Sequence, residues 1–169
     1  MNDQKLFDFF KDHQIEYTLF KHQPLFTCED QPILIDSDLK TIPGLQSKNL
    51  FLTDHKGKLF LVSTTEDKAV DLKALSKNLE CSRFSFCKPE ELMEYLQLTP
   101  GSVTPFGLMF DTSKKVSFIL DKDFLNADLV IFHPLRNDMN VTMTPQTFLE
   151  VMEKLDHRAR IIEIPIKNS

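Results

Sequence analysis

The sequence predicts a single α/β domain in which helices flank a mixed, antiparallel-rich β-sheet. Three observations favour this class. The 169 residues, 41% of them apolar, suffice for one sizeable hydrophobic core but little more. Apolar residues at helical spacing alternate along the chain with short apolar runs of β type that are bounded by turn residues. No internal repeat and no linker rich in Ser, Gly or Pro divides the chain, so one domain is expected over residues 1–169.

Local patterns predict each element and its ends. Asp3 can cap the first helix, and Gly57 permits the positive φ of a hairpin turn. Pro89 and Pro145 stand at first-turn positions, where proline is favourable, and Pro100 prevents the preceding helix from continuing. The predicted elements, in chain order, are a helix over 3–13, a β-hairpin with strands over 48–53 and 58–64, a helix over 71–79, a short strand over 83–87, a helix over 89–98, a strand pair over 106–110 and 116–121, a strand over 129–132, a helix from residue 144 and a strand over 160–165.

Composition and charge exclude several classes of protein. A formal net charge of −5 and an isoelectric point near 5.5 argue against a broad, non-specific nucleic-acid binder, which normally carries a basic field. No apolar run approaches the roughly 20 residues that a membrane span requires, so no membrane association is expected. The cysteines Cys28, Cys81 and Cys87 lack CxxC or zinc-ligand spacing, and the first residues are polar. These features predict a cytoplasmic protein.

Familiar catalytic signatures are absent from the sequence. No GxxxxGK[ST], GxGxxG, GxSxG or HExxH pattern occurs, and the five histidines are scattered without ligand spacing. Four glycines are too few for the usual phosphate-binding loops. A metal-dependent or nucleotide-dependent enzyme is therefore not expected, and no cofactor is predicted.

Lys48 and Asn49 stand directly before three apolar residues, at a point where a strand should enter the core. In the structural interpretation Lys48 lies along the apolar surface and keeps its ammonium group in water. In the functional interpretation the charge is held there for an anionic ligand.

Two further polar stretches interrupt apolar structure. The segment 101–107 has a glycine and a proline four residues apart, so it can present successive backbone N–H groups to an oxygen atom, although it also suits a plain connection between elements. His133 begins the stretch HPLRN at the end of an apolar strand, where binding groups often lie and where a structural histidine is equally common.

Taken together, the three stretches resemble one family. KNLFL after PGLQS, then GSVTPFGL, then HPLRN before TPQTFLEVME are similar to the motifs of the prolyl-tRNA-synthetase-associated, YbaK-type editing domains, in the same order and at similar spacing. The branch most similar is that of the freestanding alanyl-tRNA(Pro) deacylases. The resemblance extends from about Leu6 to Ile164. It implies the YbaK fold and hydrolysis of a mischarged aminoacyl-tRNA.

The resemblance also implies roles for particular residues. Lys48, Asn49 and His133 correspond to residues of the catalytic pocket. The family pattern after the histidine is HPLxNxxT, and this chain has Asn140 in place of the threonine, which bears on the amino-acid preference. The substrate-binding residues implied are Gly101, Ser102, Val103, Thr104, Pro105, Phe106, Asn137 and Asn140.

Hydrolysis of an aminoacyl ester requires a positioned water, donors for the developing oxyanion and a grip on the terminal adenosine. The backbone N–H groups of Gly101 to Thr104 can supply the donors, and Lys48 can neutralise a phosphate or polarise a substrate oxygen. No carboxylate or serine dyad is visible as a base. The resemblance implies that the ribose 2′-hydroxyl helps to activate water, with His133 as a candidate proton partner.

Selectivity limits explain why such an enzyme exists. A pocket built for proline cannot firmly reject alanine, because missing methylenes are worth only about 1 to 3 kcal/mol, so a second site must remove the error. Phe106, Val103 and Leu50 are candidate walls of a small pocket for alanine, with ordinary core packing as the alternative.

The partners implied are the acceptor end of tRNA(Pro) carrying a small amino acid and, as a further candidate, prolyl-tRNA synthetase. Basic residues Lys40, Lys48 and Lys77 are candidates for the tRNA contact. Two alternatives remain open from the sequence. One is a deacylase for cysteinyl-tRNA(Pro), and the other is a non-catalytic module that binds tRNA or a synthetase.

Overall fold

The computed structural model describes residues 2–23, 34–35 and 41–168, so Cys28 and Lys40 lie outside the described residues. The helices are α1 (Asn2–Asp12), α2 (Leu72–Asn78), α3 (Pro89–Leu96) and α4 (Pro145–Lys154), with 3₁₀ helices at Pro105–Phe110 and Lys122–Asn126. The strands are β1 (Thr18–His22), β2 (Leu34–Ile35), β3 (Leu45–Asp54), β4 (Leu59–Thr65), β5 (Phe84–Phe86), β6 (Val116–Asp121), β7 (Val130–Phe132), β8 (Met139–Met143) and β9 (Arg160–Ile162).

The strands form one mixed sheet in the order β2-β1-β8-β7-β3-β4-β6-β9, with β5 paired to β3 outside that path. Among the described residues, five neighbouring pairs are antiparallel and three are parallel, which confirms the antiparallel-rich class. The long strand β3 lies at the centre of the sheet, between the group β2-β1-β8-β7 and the group β4-β6-β9. It pairs with β7 at Leu45 and Gln46 and with β5 from Leu52 to Asp54, so the residues between these segments have β4 as their ladder partner.

The hydrophobic core lies on both faces of this sheet. On one face, α1, α3, α4 and the first 3₁₀ helix cover a cluster rich in phenylalanine, in which the rings of Phe132 and Phe148 stack at 4.3 Å between centroids. On the other face, α2 covers a smaller cluster around Leu52, Val62 and Leu75. Burial of these apolar side chains supplies the main favourable free energy of folding.

The predicted strand over 106–110 is wrong, because this segment forms a 3₁₀ helix. Thr104 caps it, since the Thr104 hydroxyl accepts a hydrogen bond from the Phe106 N–H at 3.4 Å, and Pro105 occupies its first turn. At Gly107 an added Cβ would lie only 2.7 Å from Leu98 Cδ1, so the segment packs closely against the end of α3. A short apolar run does not by itself distinguish a strand from a buried helical turn.

Other predicted elements agree with the structure apart from their ends. The hairpin of β3 and β4, helix α1 and strand β6 are confirmed. Asp71 caps α2 through its carboxylate, which accepts from the Ala74 N–H at 3.0 Å. Helix α3 ends two residues early because Gln97 adopts a left-handed conformation with φ of 54°. Strands β1, β2 and β8 were not predicted.

Candidate functional site

The loop 101–104 lies between two clefts, and each cleft joins it to another of the three polar stretches. The first, here called the Asn49 cleft, has a volume of about 310 Å³ and is lined by Asn49, Gly101 and Val103 together with residues near β5 and the start of α3. The second, here called the Asp138 cleft, has a similar volume of about 310 Å³ and is lined by Ser102 and Asp138. The structure therefore brings parts of all three sequence stretches around one loop.

Asn49 is held in place by serines on β3 and β4. It stands opposite Ser63 in the antiparallel ladder, and the fully buried Ser63 hydroxyl donates to Asn49 Oδ1 at 2.5 Å. The Asn49 amide nitrogen donates to Ser47 Oγ at 3.3 Å. These contacts fix the orientation of the amide at the wall of the cleft. Ser63 was not predicted as a site residue, although a serine directly after the apolar run Leu59–Val62 was the available signal.

Lys48 points to the opposite face of the sheet from Asn49, because consecutive strand residues alternate. It is half-buried, stands opposite Thr64, and its ammonium group donates to the backbone carbonyl of Lys68. Lys48 is not among the residues that line either cleft. Its charge is therefore held by a carbonyl dipole on the segment that follows β4.

That segment is itself fixed by a buried carboxylate. Asp121, which is fully buried, accepts hydrogen bonds from Thr64 Oγ1 at 2.6 Å and from Lys68 Nζ at 2.6 Å. Asp123 accepts a second bond from Lys68 Nζ at 2.7 Å. Burial opposes the charge on Lys68, but the two carboxylates outweigh that effect and raise its pKa. This network of carboxylates around Lys68 was not predicted from the sequence.

The loop 101–104 begins at a glycine with positive φ and contains backbone N–H groups that could bind a ligand. Gly101 has φ of 89°, a conformation that side chains rarely adopt, so glycine is required there. The Ser102 N–H donates to the Thr99 carbonyl at 3.0 Å. In the part of the chain that the structure describes, the N–H groups of Gly101, Val103 and Thr104 donate to no acceptor. Of these three residues, Gly101 and Val103 line the Asn49 cleft, whereas Thr104 is fully buried and lines neither cleft.

His133 follows β7, and its Nδ1 donates to the Met139 carbonyl at 2.9 Å. Burial lowers the pKa of His133, and the nearby His22 lowers it further. The ring is therefore neutral near pH 7 and carries a lone pair on Nε2. Nε2 makes no hydrogen bond to a described residue.

Asn140 joins His133 on one face of the sheet, beside His22. The buried Asn140 donates from Nδ2 to His22 Nε2 at 3.1 Å, and His22 Nδ1 donates to the Gln23 carbonyl at 2.7 Å. The rings of His22 and His133 lie 6.3 Å apart. Asn140 Oδ1 is buried and accepts no hydrogen bond within the described ranges. His133 and Asn140 are not among the residues that line either cleft.

Arg136 closes the turn that follows His133. Its Nε and Nη2 donate to the two carboxylate oxygens of Asp138 at 2.8 and 2.6 Å, and its Nη1 donates to Asp3 Oδ2 at 3.2 Å. This fork links the turn to α1. Asn137 lines the Asp138 cleft in the same turn.

Other predicted residues occupy different places. Val103 and Leu50 line the Asn49 cleft, as expected for walls of a small pocket. Phe106 and Pro105 are buried, and the fully buried Phe106 ring packs against Phe10 at 5.5 Å between centroids, so the structure places Phe106 in the hydrophobic core. The core interpretation of Phe106, stated as the alternative, is the one that its burial supports.

Cys87 also lines the Asn49 cleft. Burial, with a smaller contribution from Glu91, raises the pKa of Cys87 to about 12. Since the thiolate is the nucleophilic form, this thiol is unreactive near neutral pH. The Asn49 cleft therefore contains amide donors and apolar walls rather than an activated nucleophile.

No group of three or more His, Cys, Asp or Glu side chains is arranged to hold a metal ion in the ranges 2–23, 34–35 and 41–168. Within the same ranges, no helix has the length and apolar character needed to cross a bilayer.

Known proteins resemble this chain over most of its length. A profile of the aminoacyl-tRNA editing domain matches residues 22–151. The prolyl-tRNA editing protein ProX of Acetoanaerobium sticklandii is 31% identical over 152 residues, which are 89% of this chain and 90% of that protein. Prolyl-tRNA synthetase associated domain-containing protein 1 of Xenopus laevis is 34% identical over 164 residues, covering 94% of this chain and 95% of that protein.

A solved structure shows the same fold. A crystal structure provisionally described as a trans-editing enzyme for prolyl-tRNA synthetase has a TM-score of 0.59 and 20% sequence identity to this chain, covering 72% of this chain and 71% of that one.

Proposed function

Because this chain belongs to the aminoacyl-tRNA editing domain family, whose members are aminoacyl-tRNA deacylases, we propose that it hydrolyses the ester bond of mischarged alanyl-tRNA(Pro) in the cytoplasm. The names of its relatives, which refer to prolyl-tRNA editing and to prolyl-tRNA synthetase, support tRNA(Pro) as the carrier and prolyl-tRNA synthetase as a partner. The observation that carries the proposal is the Asn49 cleft, where Asn49 faces the loop 101–104.

The Asn49 cleft suits a small aminoacyl group. Leu50 and Val103 form part of its wall, and its volume of about 310 Å³ is at the lower end of the range for ligand pockets. An alanyl group fits beside the Val103 side chain, whereas the additional methylenes of the prolyl ring crowd it. The resulting discrimination supplies the second sieve that a synthetase pocket built for proline lacks.

Hydrolysis at this site relies on donors more than on an activated protein nucleophile. Water attacks the ester carbonyl, and the carbonyl oxygen acquires negative charge as the tetrahedral intermediate forms. The N–H groups of Gly101 and Val103, which donate to no described acceptor, stabilise that oxygen, and the Asn49 amide orients the substrate. The intermediate then collapses with departure of the 3′-oxygen of the ribose, whose 2′-hydroxyl helps to activate the water.

Lys48 and His133 complete the proposed machinery. The Lys48 ammonium lies on the face of the sheet opposite the Asn49 cleft and donates one N–H to the Lys68 carbonyl, so its remaining donors are proposed to hold an anionic oxygen of the tRNA outside the cleft, such as a phosphate. His133 has a lowered pKa, and its Nε2 makes no hydrogen bond to a described residue, so we propose it as the proton acceptor; since it does not line the Asn49 cleft, the proton reaches it through an intervening water. Asn140 sets the environment of this histidine through its contact with His22.

Deacylation of alanyl-, cysteinyl- and prolyl-tRNA(Pro), measured side by side with the purified protein, tests the proposal. We expect rapid hydrolysis of alanyl-tRNA(Pro) and little hydrolysis of prolyl-tRNA(Pro). Preferred hydrolysis of cysteinyl-tRNA(Pro) would assign the chain to the alternative deacylase class. Binding of tRNA without hydrolysis of any of the three substrates would identify a non-catalytic module.

A further inference from the structure

Phe86 presents an aromatic ring to solvent at the Asn49 cleft. Its side chain is 60% exposed, whereas every other Phe or Tyr of the described residues is buried or half-buried. The backbone beneath it is well ordered by hydrogen bonding, because Phe86 pairs with Leu52 and the Cys87 N–H donates to the Phe51 carbonyl at 3.0 Å. A fixed and exposed ring on the wall of a cleft has no role in the core.

We propose that Phe86 is the platform on which the terminal adenine of the tRNA stacks while the aminoacyl ester enters the Asn49 cleft. This inference rests on the proposed function, since the aminoacyl group is bonded to the ribose of that same terminal adenosine. The base is therefore one sugar away from the ester and must rest close to the cleft. Phe86 lines the cleft together with Asn49 and Val103, so it offers a flat apolar surface at that distance.

The surroundings of Phe86 favour a single planar ligand over a protein interface. An interface between proteins requires a broad contiguous patch, but the neighbours Ser85 and Lys88 are exposed polar residues, so Phe86 is an isolated aromatic ring. Aromatic side chains on which unpaired bases stack are the common device of proteins that bind single-stranded nucleic acids. The 3′ end of a tRNA is such a single strand.

Two cationic side chains close to Phe86 in sequence suit a nucleotide that carries a phosphate. Arg83 and Lys88 are exposed and form no ion pair with any described residue. The Glu91 carboxylate accepts from the Lys88 N–H at 2.9 Å, so Glu90 is the remaining acid of the first turn of α3. The phosphate of the terminal nucleotide is accordingly expected on the side of Arg83 and Lys88, away from Glu90.

The absence of tryptophan from the sequence permits a direct test. The variant Phe86→Trp places a single fluorophore at the proposed platform, and Met93→Trp, at an α3 side chain that is 49% exposed and does not line the cleft, is the matched control. Both are titrated with adenosine 5′-monophosphate and with ribose 5-phosphate, which lacks the base. We expect saturable quenching only for Phe86→Trp with the adenine nucleotide. Absence of quenching, or equal quenching in both variants, would overturn the inference.

Kinetics on alanyl-tRNA(Pro) provide a second readout. Loss of one base stack should raise KM about 10-fold in Phe86→Ala and change kcat by less than about twofold, because stacking acts on binding rather than on the reacting atoms. Phe86→Tyr should restore KM, and Phe86→Leu should not. Unchanged KM in a folded Phe86→Ala protein would also overturn the inference.

The two measurements separate this inference from the proposed function. If Phe86→Trp is quenched by the adenine nucleotide but the wild-type protein hydrolyses no aminoacyl-tRNA, the deacylase proposal is refuted and the adenine platform is supported. If the wild type hydrolyses alanyl-tRNA(Pro), Phe86→Trp shows no quenching and Phe86→Ala keeps the wild-type KM, the deacylase proposal is supported and the adenine platform is refuted.

Discussion

Lys48 and Asn49 are adjacent in β3, and their side chains point to opposite faces of the sheet. Asn49 accepts a hydrogen bond from the Ser63 hydroxyl on the cleft side, while the Lys48 ammonium donates to the Lys68 carbonyl on the other side. A single strand therefore positions both an uncharged orienting group and a cation. Because their supports are separate, substitutions at the two positions should have separable effects.

Lys48→Ala tests whether the charge takes part in the reaction. We expect single-turnover hydrolysis of alanyl-tRNA(Pro) to slow by about 30-fold to 1,000-fold, corresponding to about 2 to 4 kcal/mol of transition-state stabilisation. Lys48→Arg should recover little activity, since a planar guanidinium does not replace a compact ammonium. Lys56→Ala, at an exposed hairpin position, is the control. A folded Lys48→Ala protein within about threefold of wild type would make Lys48 a structural residue.

Ser63→Ala tests whether Asn49 must be oriented. Removing the hydroxyl leaves Asn49 Oδ1 without its 2.5 Å donor, so the amide should lose its fixed orientation and the rate should fall about 10-fold. A double-mutant cycle with Asn49→Ala is the informative measurement. If Ser63 acts through Asn49, Ser63→Ala has almost no further effect once Asn49 is alanine. Additive losses would show that Ser63 acts in some other way.

Gly101→Ala should reduce turnover more than tRNA binding. A Cβ at φ of 89° strains the loop and disturbs the N–H groups that are proposed to stabilise the oxyanion. Gly57→Ala is a matched control, because Gly57 has φ of 83° in the hairpin turn and an added Cβ there contacts nothing within 4 Å. Both variants should lose about 1 kcal/mol of stability, and only Gly101→Ala should lose activity. Equal deacylation rates for the two would remove the loop from the mechanism.

Cys87→Ala should leave the reaction almost intact. Although Cys87 lines the Asn49 cleft, burial raises the pKa of its thiol to about 12, so no thiolate is present to attack the ester near neutral pH. We expect a rate within about threefold of wild type and no covalent acyl-enzyme by mass spectrometry. Accumulation of an acylated Cys87 would instead establish nucleophilic catalysis.

Stability in acid should depend on Asp111. Burial opposes its charge, but hydrogen bonds from His157 and from the N–H groups of Val116 and Lys115 outweigh that effect and lower its pKa in the folded protein. A lowered pKa means that the stabilisation is complete above the unfolded-state value of about 3.9 and is lost as the pH falls through the folded-state value.

Urea unfolding between about pH 3 and pH 6 measures this contribution. The free energy of unfolding should fall more steeply with acid in the wild type than in Asp111→Asn, which lacks the titrating group. Asp128→Asn, at an exposed position, should keep the wild-type slope. Identical slopes for wild type and Asp111→Asn would contradict the assignment.

The parts of the fold that follow from local chemistry were predictable, and the site was predictable as a set of stretches. Gly57 predicted the hairpin turn, and Pro89 and Pro145 predicted helix starts, because turns and helix ends depend on neighbours in sequence. The segment 106–110 was assigned the wrong structure because it is a short apolar run without polar residues to reveal a helical or a strand period.

The contacts within the site were not predictable, since they join residues distant along the chain. Nothing local indicates that Ser63 meets Asn49, or that His22 lies beside His133. The resemblance located the three stretches but did not show that Lys48 and Asn49 face apart.

The strand order has a consequence for how the protein acquires its structure. Strand β1, near the start of the chain, pairs with β8 near its end, and β3 in the first third pairs in parallel with β7. Such pairings close long loops before they gain contacts, which makes folding slow compared with that of helical proteins. During synthesis β1 and β3 remain without these partners until the last third of the chain has emerged, and their edges are then open to association with other chains. Efficient production of this protein should therefore depend on chaperones that shield those edges.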